Sequence, residues 1–234
     1  MNIFFDIETI PSQVPWVRDE LAASITHPGT LKKPESIAEW VRESKPAAVE
    51  DAYLKTSFDG GLGQIVCIGW CTDEGEPVSR TAADLSVTAE RDMLEGWFLD
   101  LIDAFHAGGK RRPVFVGHNH VAFDIPFVWK RCMVLGVKPP LWFPRAPKPW
   151  SEAVADTMLL WDASQRAGGS MDRLCRILGI PGKGDGPTGA DVWPMVQAGR
   201  LDEVAAYCRA DVERTRAMYR RMTFQPAITE LETA

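Results

Sequence analysis

Three patterns of hydrophobic and polar positions recur along the 234-residue chain. Continuous apolar runs, at residues 2–7 up to Asp6 and at 113–117 (PVFVG), read as buried strands. QIVCIGWC at 64–71 predicts a second strand and 76–81 a third, with Asp73, Glu74 and Gly75 turning between them. Helical spacing governs 88–106, where Leu94, Trp97, Phe98, Leu101 and Phe105 share a face and Thr88 is positioned to cap. Shorter helices are predicted at 35–44, 124–135, 170–178 and 189–198, and a long one at 201–222. Pro126 suits the first turn of its helix, where no amide donor is needed. Residues 153–161 fit a strand or the start of a helix.

Breakers make the third pattern. Pro11, Pro15, Pro28, Gly29 and Pro34 predict a loop-rich stretch over 10–34. Gly60, Gly61 and Gly63 mark a turn, and the five prolines of 138–150 exclude regular structure there. The order of elements predicts an α/β domain at 1–223, a mixed central sheet flanked by helices. Within it, 10–63 reads as a loop-rich insertion, either a lid or a partner surface, and 224–234 as a flexible tail.

Composition narrows the function. A net charge of −6 argues against coating nucleic acid through bulk positive charge. It leaves open a carboxylate-built metal site with a local basic rim. The five scattered cysteines complete no zinc pattern and read as reduced and mostly buried, which fits an intracellular setting. The N-terminus enters a strand without a leader pattern, and no run of about eighteen apolar residues occurs. A cytoplasmic protein without membrane attachment is the expectation.

Three segments carry chemistry. Asp6 and Glu8 alternate along a strand, so both carboxylates share one face inside an apolar stretch. Burying two acids there is costly without cations, and hard oxygen ligands suit Mg2+ or Mn2+. Asn119, Phe123 and Asp124 come after the strand 113–117, where open α/β sheets place functional groups. Asp124 could equally cap the next helix. Tyr207 and Asp211 are four apart on the last predicted helix and share a face.

Together these segments, FDIET, N-x-x-x-F-D and Y-x-x-x-D, resemble the three motifs of the DEDD superfamily of 3′–5′ exonucleases, tyrosine subclass. The chain is similar over nearly its whole length to stand-alone bacterial and phage proteins related to the proofreading exonuclease domain of family B DNA polymerases. KGDGPTGADVW is part of that likeness. The resemblance implies a ribonuclease H-like fold and a phosphodiester hydrolase that releases 5′-mononucleotides; no polymerase domain is expected, as the chain ends shortly after the third motif. It implies two divalent ions: Asp6 bridging both, Glu8 and Asp211 on the ion carrying the nucleophilic water, Asp124 serving the other. Tyr207 would orient that water. The implied partner is a nucleic-acid 3′ end, with single-stranded DNA favoured, in DNA replication or repair alongside proteins the sequence does not identify.

Thr9, Asn119 and Phe123 are candidates for positioning the 3′ nucleotide, although Phe123 also reads as core. Lys183, among glycines, is the best candidate for a phosphate contact. Lys110 to Arg112, Arg145 and Lys148 are further candidates for a basic rim. His118 and His120 flank Asn119 without a required metal role. Asp156 could support the site or be purely structural. Two competing readings are an RNA-trimming exonuclease or endonuclease on the same fold, and a catalytically silent module that binds nucleic acid or a replication partner.

Overall fold

The computed structural model describes residues 1–146, 148, 151–162 and 168–226. Residues 227–234 of the expected tail, and Pro147, Pro149 and Trp150 of the proline-rich stretch, lie outside the described residues.

A five-stranded mixed sheet organises the molecule. Strand β1 (Asn2–Ile10) lies at its centre. It pairs antiparallel with β2 (Gln64–Thr72), which pairs with the edge strand β3 (Val78–Thr81). On its other side β1 runs parallel to β4 (Val114–Gly117), and β4 parallel to β5 (Val154–Asp156). β1 outruns the expected 2–7 because the two acids do not end it. Its neighbours continue to supply ladder partners as far as Ile10.

Helices cover both faces. On one, Ile3, Phe5 and Ile7 join a core with α4 (Val87–Ala107) and α5 (Asp124–Leu135), in which Trp97, Phe115 and Phe143 pack edge to face. On the other, the even positions of β1 meet α9 (Leu201–Met222). Residues 153–161 satisfy both sequence readings, as β5 leads directly into α6 (Thr157–Asp162). The expected cap of α4 moves from Thr88 to Ser86, whose hydroxyl accepts from the Ala89 N–H at 3.1 Å. Ser86 has the extended backbone a cap requires, whereas Thr88 lies inside the helix.

The loop-rich expectation for 10–34 is corrected by α1 (Pro15–Ser24), the helix expected at 35–44 is found as α2 (Pro34–Glu43), and α3 (Lys45–Leu54) fills most of the rest of the insertion. Each begins at or beside a proline, because a ring that breaks a helix interior suits its first turn. The guanidinium of Arg18 on α1 lies 3.5 Å from the centre of the Tyr53 ring on α3 and pairs with Glu50. A single 3-10 turn, Lys55–Phe58, leads back to the sheet. The five cysteines are free and buried, as expected. Among the described residues no helix is long and apolar enough to cross a membrane.

Candidate active site

The even face of β1 decides which residues meet. Phe4 packs with Val212 and Tyr219 of α9, and Ile10 with Val204 and Tyr207. Asp6 and Glu8 lie between those two apolar anchors, so they face the α9 turn that carries Tyr207 and Asp211. The approach is close because the cross-strand partner of Asp6 is Gly69. A Cβ at Gly69 would stand 2.9 Å from the Cys208 Sγ and 3.2 Å from the Cys208 carbonyl. A glycine on β2 therefore lets α9 settle onto the sheet directly over the first acid. The β1–β2 register slips immediately after Glu8, an irregularity that re-aims side chains at functional edges.

Asp124 arrives from the other side. Asp124 is the first residue of α5 and makes no capping bond to it, so the capping reading is corrected. Its carboxylate reaches across to β1 and accepts the Ile7 N–H at 3.1 Å, between the two acids. Asp124 is thereby fixed to the strand that carries Asp6 and Glu8.

Burial dominates the electrostatics. Asp6 is held well above the usual carboxylate range, first by burial, then by the negative charges of Asp124 and Asp211, with Lys183 opposing. Glu8 is raised in the same way by burial, Asp6 and Asp211. Burial pushes Asp124 up to about 7 against its backbone hydrogen bonds. The Tyr207 hydroxyl is raised by burial and then by Asp211, so it keeps its proton. Clustered acids in a desolvated pocket form a site whose charge is incomplete without cations.

The chain supplies part of that charge itself. The Lys183 ammonium donates to Asp211 Oδ2 at 2.5 Å and to the Tyr207 hydroxyl at 2.6 Å. Arg214, one turn beyond Asp211, donates to its Oδ1 at 2.7 Å and to the Gly182 carbonyl at 3.3 Å. The sequence reading missed Arg214. Its position three residues after a candidate ligand on a helix was the available signal. Lys183, expected as a phosphate contact, lies on the carboxylate and phenol themselves.

Cys208 is a second unanticipated neighbour. Its thiol lies 3.8 Å from Asp6 Oδ2, and ligand atoms of Asp6, Glu8 and Cys208 lie within 4.8 Å of one another. The donor set is chiefly hard oxygen, buried and mutually repelling, so the residues present fit a divalent ion.

Asp156 has a clear structural part. Its carboxylate accepts the N–H groups of Asn119 at 2.9 Å, Val121 at 3.1 Å and Met158 at 3.0 Å. It fastens the turn that carries the second motif, where Asn119 adopts a left-handed backbone (φ 65°). Phe123 is half-buried, neither fully core nor free. The Thr9 hydroxyl donates to the Ser57 carbonyl at 2.8 Å. His118 bonds the Thr157 hydroxyl through Nδ1. His120 is buried over Gly117 and is lowered to about 4 by burial, as a packed neutral ring.

The basic-rim reading of Lys110 to Arg112 is corrected. They precede β4, whose first residue pairs with Asn2 at the start of β1. That is the opposite end of the sheet from the Asp156 end of β5. Arg145 is occupied over the Trp129 ring, 5.3 Å from its centre.

The strand order, with a parallel pair beside an antiparallel one and a long helix laid across the acids, is a ribonuclease H-like fold carrying an acidic site. The chain belongs to the family described as predicted 3′–5′ exonucleases related to the exonuclease domain of PolB, whose model matches residues 62–233. Membership makes it a nuclease, an enzyme that hydrolyses phosphodiester bonds. The matched segment contains Asp124, Tyr207 and Asp211 and starts after Asp6 and Glu8, which the fold adds to them. No curated protein matches the chain significantly.

Proposed function

We propose that Asp6, Glu8, Asp124, Asp211 and Tyr207 form a 3′–5′ exonuclease centre that releases 5′-mononucleotides from a nucleic-acid end. Single-stranded DNA is the favoured substrate, and the setting is replication or repair. The observation that supports it most is that Asp124 of α5 and Asp211 of α9, from opposite sides of the sheet, both act on the Asp6 carboxylate of β1, with Glu8 beside it. Asp6, Glu8 and Asp211 would hold divalent ions, Mg2+ or Mn2+, with Asp124 completing the set. Two such ions, when bound, supply an activated water and stabilise the leaving oxygen.

The chain's own groups position and exclude. Tyr207, kept protonated, orients the attacking water and does not serve as a base. Lys183 holds Asp211 and Tyr207 in register and has donors to offer a phosphate oxygen. Arg214 keeps Asp211 fixed to the chain at Gly182. Asp156 holds the turn that presents Asn119 and Phe123 to the terminal nucleotide. Preference for DNA over RNA rests on the relation to the exonuclease domain of PolB.

The test is release of mononucleotides from matched linear single-stranded DNA, duplex DNA, RNA and circular single-stranded DNA, with and without Mg2+ or Mn2+. Wild-type protein should degrade linear DNA from the 3′ end and leave circles intact. Asp6→Ala and Asp211→Ala should each lose on the order of 10²–10³-fold or more of that rate. Full activity in either variant would sink the assignment, and cut circles would move it to an endonuclease.

A further inference from the structure

A cleft of about 1070 Å3 lies away from the catalytic acids, between the β2–β3 hairpin and the C-terminal half of α4. Its floor is apolar, with Met1, Trp70, Val78 and Ala104. Val78 is 46% exposed there, and the buried indole N–H of Trp70 has no acceptor among the described residues. Five carboxylates and two guanidiniums line the same cleft. Arg80 is taken up by Asp100, at 2.5 and 2.8 Å, and Glu76 and Asp103 have no basic partner among the described residues. Such a rim repels a phosphate backbone and suits a cationic, partly apolar guest. The hairpin wall is firm, because Arg216 and Arg220 of α9 donate to the carbonyls of Gly75 at 2.6 Å and Asp73 at 2.7 Å.

The same chain carries such a guest on its own surface. Leu141 is 97% exposed, yet the turn that bears it is anchored on both sides. Trp142 stacks on Phe105 of α4, with ring centres 5.3 Å apart, and Phe143 is buried in the core. The Phe143 N–H donates to the Pro140 carbonyl at 2.9 Å, and the Trp129 indole N–H to the Pro144 carbonyl at 2.6 Å. Residues 138–148 contain three basic residues, Lys138, Arg145 and Lys148, and no acid. Their prolines restrict the backbone before any contact is made, which lowers the ordering cost of association. Prolines also lack an N–H, so the segment presents more acceptors than donors, which suits the Trp70 N–H.

We propose that the protein pairs with a second copy of itself, the Leu141 turn of each copy seated in the acidic cleft of the other. Leu141 covers the Trp70 and Val78 floor, and Lys138 meets the free carboxylates of Glu76 and Asp103. Both features lie on the C-terminal half of α4, the cleft against Asp103 and Ala104 and the turn against Phe105. A two-fold axis beside that half-helix lets each copy fill the other's cleft, which closes the assembly at two. The cleft includes Met1, where β1 begins, so the contact leaves the Asp156 end of the sheet open in both copies. The inference is independent of the exonuclease reading.

The test is sedimentation equilibrium of the full chain over a wide concentration range. Wild type should follow a monomer–dimer equilibrium. Leu141→Asp should weaken dimerisation at least about 10-fold. Lys138→Glu and Asp103→Lys change exposed residues, and each should weaken it by roughly 3- to 10-fold while melting as wild type does. An equal mixture of those two variants should dimerise about as well as wild type, because the mixed pair has one native contact and one with its charges exchanged. A general loss of fold or of solubility would not produce that recovery. Wild type that stays monomeric would overturn the proposal and leave the cleft to a basic segment of another protein. Dimerisation of Leu141→Asp equal to wild type, or a mixture no stronger than its components, would overturn it as well. Growth of wild type beyond the dimer would refute the two-fold pairing.

Discussion

Two groups of acids packed against the sheet have been treated in opposite ways. Glu90 on α4 is wholly buried, and its carboxylate takes both arms of the Arg131 guanidinium, at 2.5 and 2.8 Å, plus the Ile65 N–H at 2.9 Å. Its charge is neutralised and its oxygens are satisfied within the fold. Glu8 is buried as well and Asp6 is half-buried, yet among the described residues neither is paired with a Lys or Arg at bonding distance. The charges that act on them most strongly are those of other acids. Glu90 joins α4, α5 and the sheet, a structural ion pair. The other acids cost stability as they stand, and such a cost persists where a ligand from outside removes it.

Substitution should separate the two most sharply. Arg131→Ala leaves Glu90 buried and unpaired, and should cost about 3–5 kcal/mol in denaturant unfolding. Asp6→Asn removes an uncompensated charge, and should leave the metal-free protein as stable as wild type or more so. A loss of stability at Asp6→Asn comparable with that at Arg131→Ala would mean that both sites are structural.

Gly69→Ala probes how the site is held together. The added Cβ meets the Cys208 sulfur and backbone at 2.9 and 3.2 Å, and overpacking of this kind costs about 1–3 kcal/mol. α9 must shift to relieve it, and Asp211 with it. Mononucleotide release should therefore fall by more than the loss of stability explains at a temperature where the variant is fully folded. Activity equal to wild type would show that the close approach of α9 serves packing alone.

The smallest expected effect is on the pH dependence of melting. Asp124 is raised to about 7 when folded, against an ordinary 3.8. The folded protein then binds a proton that the unfolded chain has released. That contribution is complete below the ordinary carboxylate range and is lost as pH rises through about 7. Asp6 and Glu8 shift in the same direction. The melting temperature in EDTA should fall between about pH 5 and 8. Mg2+ or Mn2+ should raise it more at pH 8 than at pH 5. An increment from metal that is the same at both pH values would contradict the cost assigned to the site.

Much of the fold was legible because its signals are local. The last helix, α9, matches its expected bounds, since a polar-apolar period over six turns leaves little choice. Residues 10–34 were read as loop because prolines were counted as breakers. A proline breaks a helix or starts one according to the residues after it, and Pro15 starts α1. The alternation of Asp6 with Glu8 and the spacing of Tyr207 with Asp211 were also local, and so was their shared chemistry. Arg214 was not visible in the same way. An arginine on a helix looks ordinary until other segments come close.

The sequence alone determined that β1 carries two acids on one face, that α9 carries a tyrosine and an acid on one face, and that buried strands surround them. Only the tertiary structure decided that those faces oppose each other. The physical reason lies in contacts between residues far apart in the chain. Phe4 and Ile10 anchor α9 on either side of the acids, Gly69 leaves the space for it, and the Ile7 N–H draws in Asp124. None of those distances is encoded by spacing along a single segment.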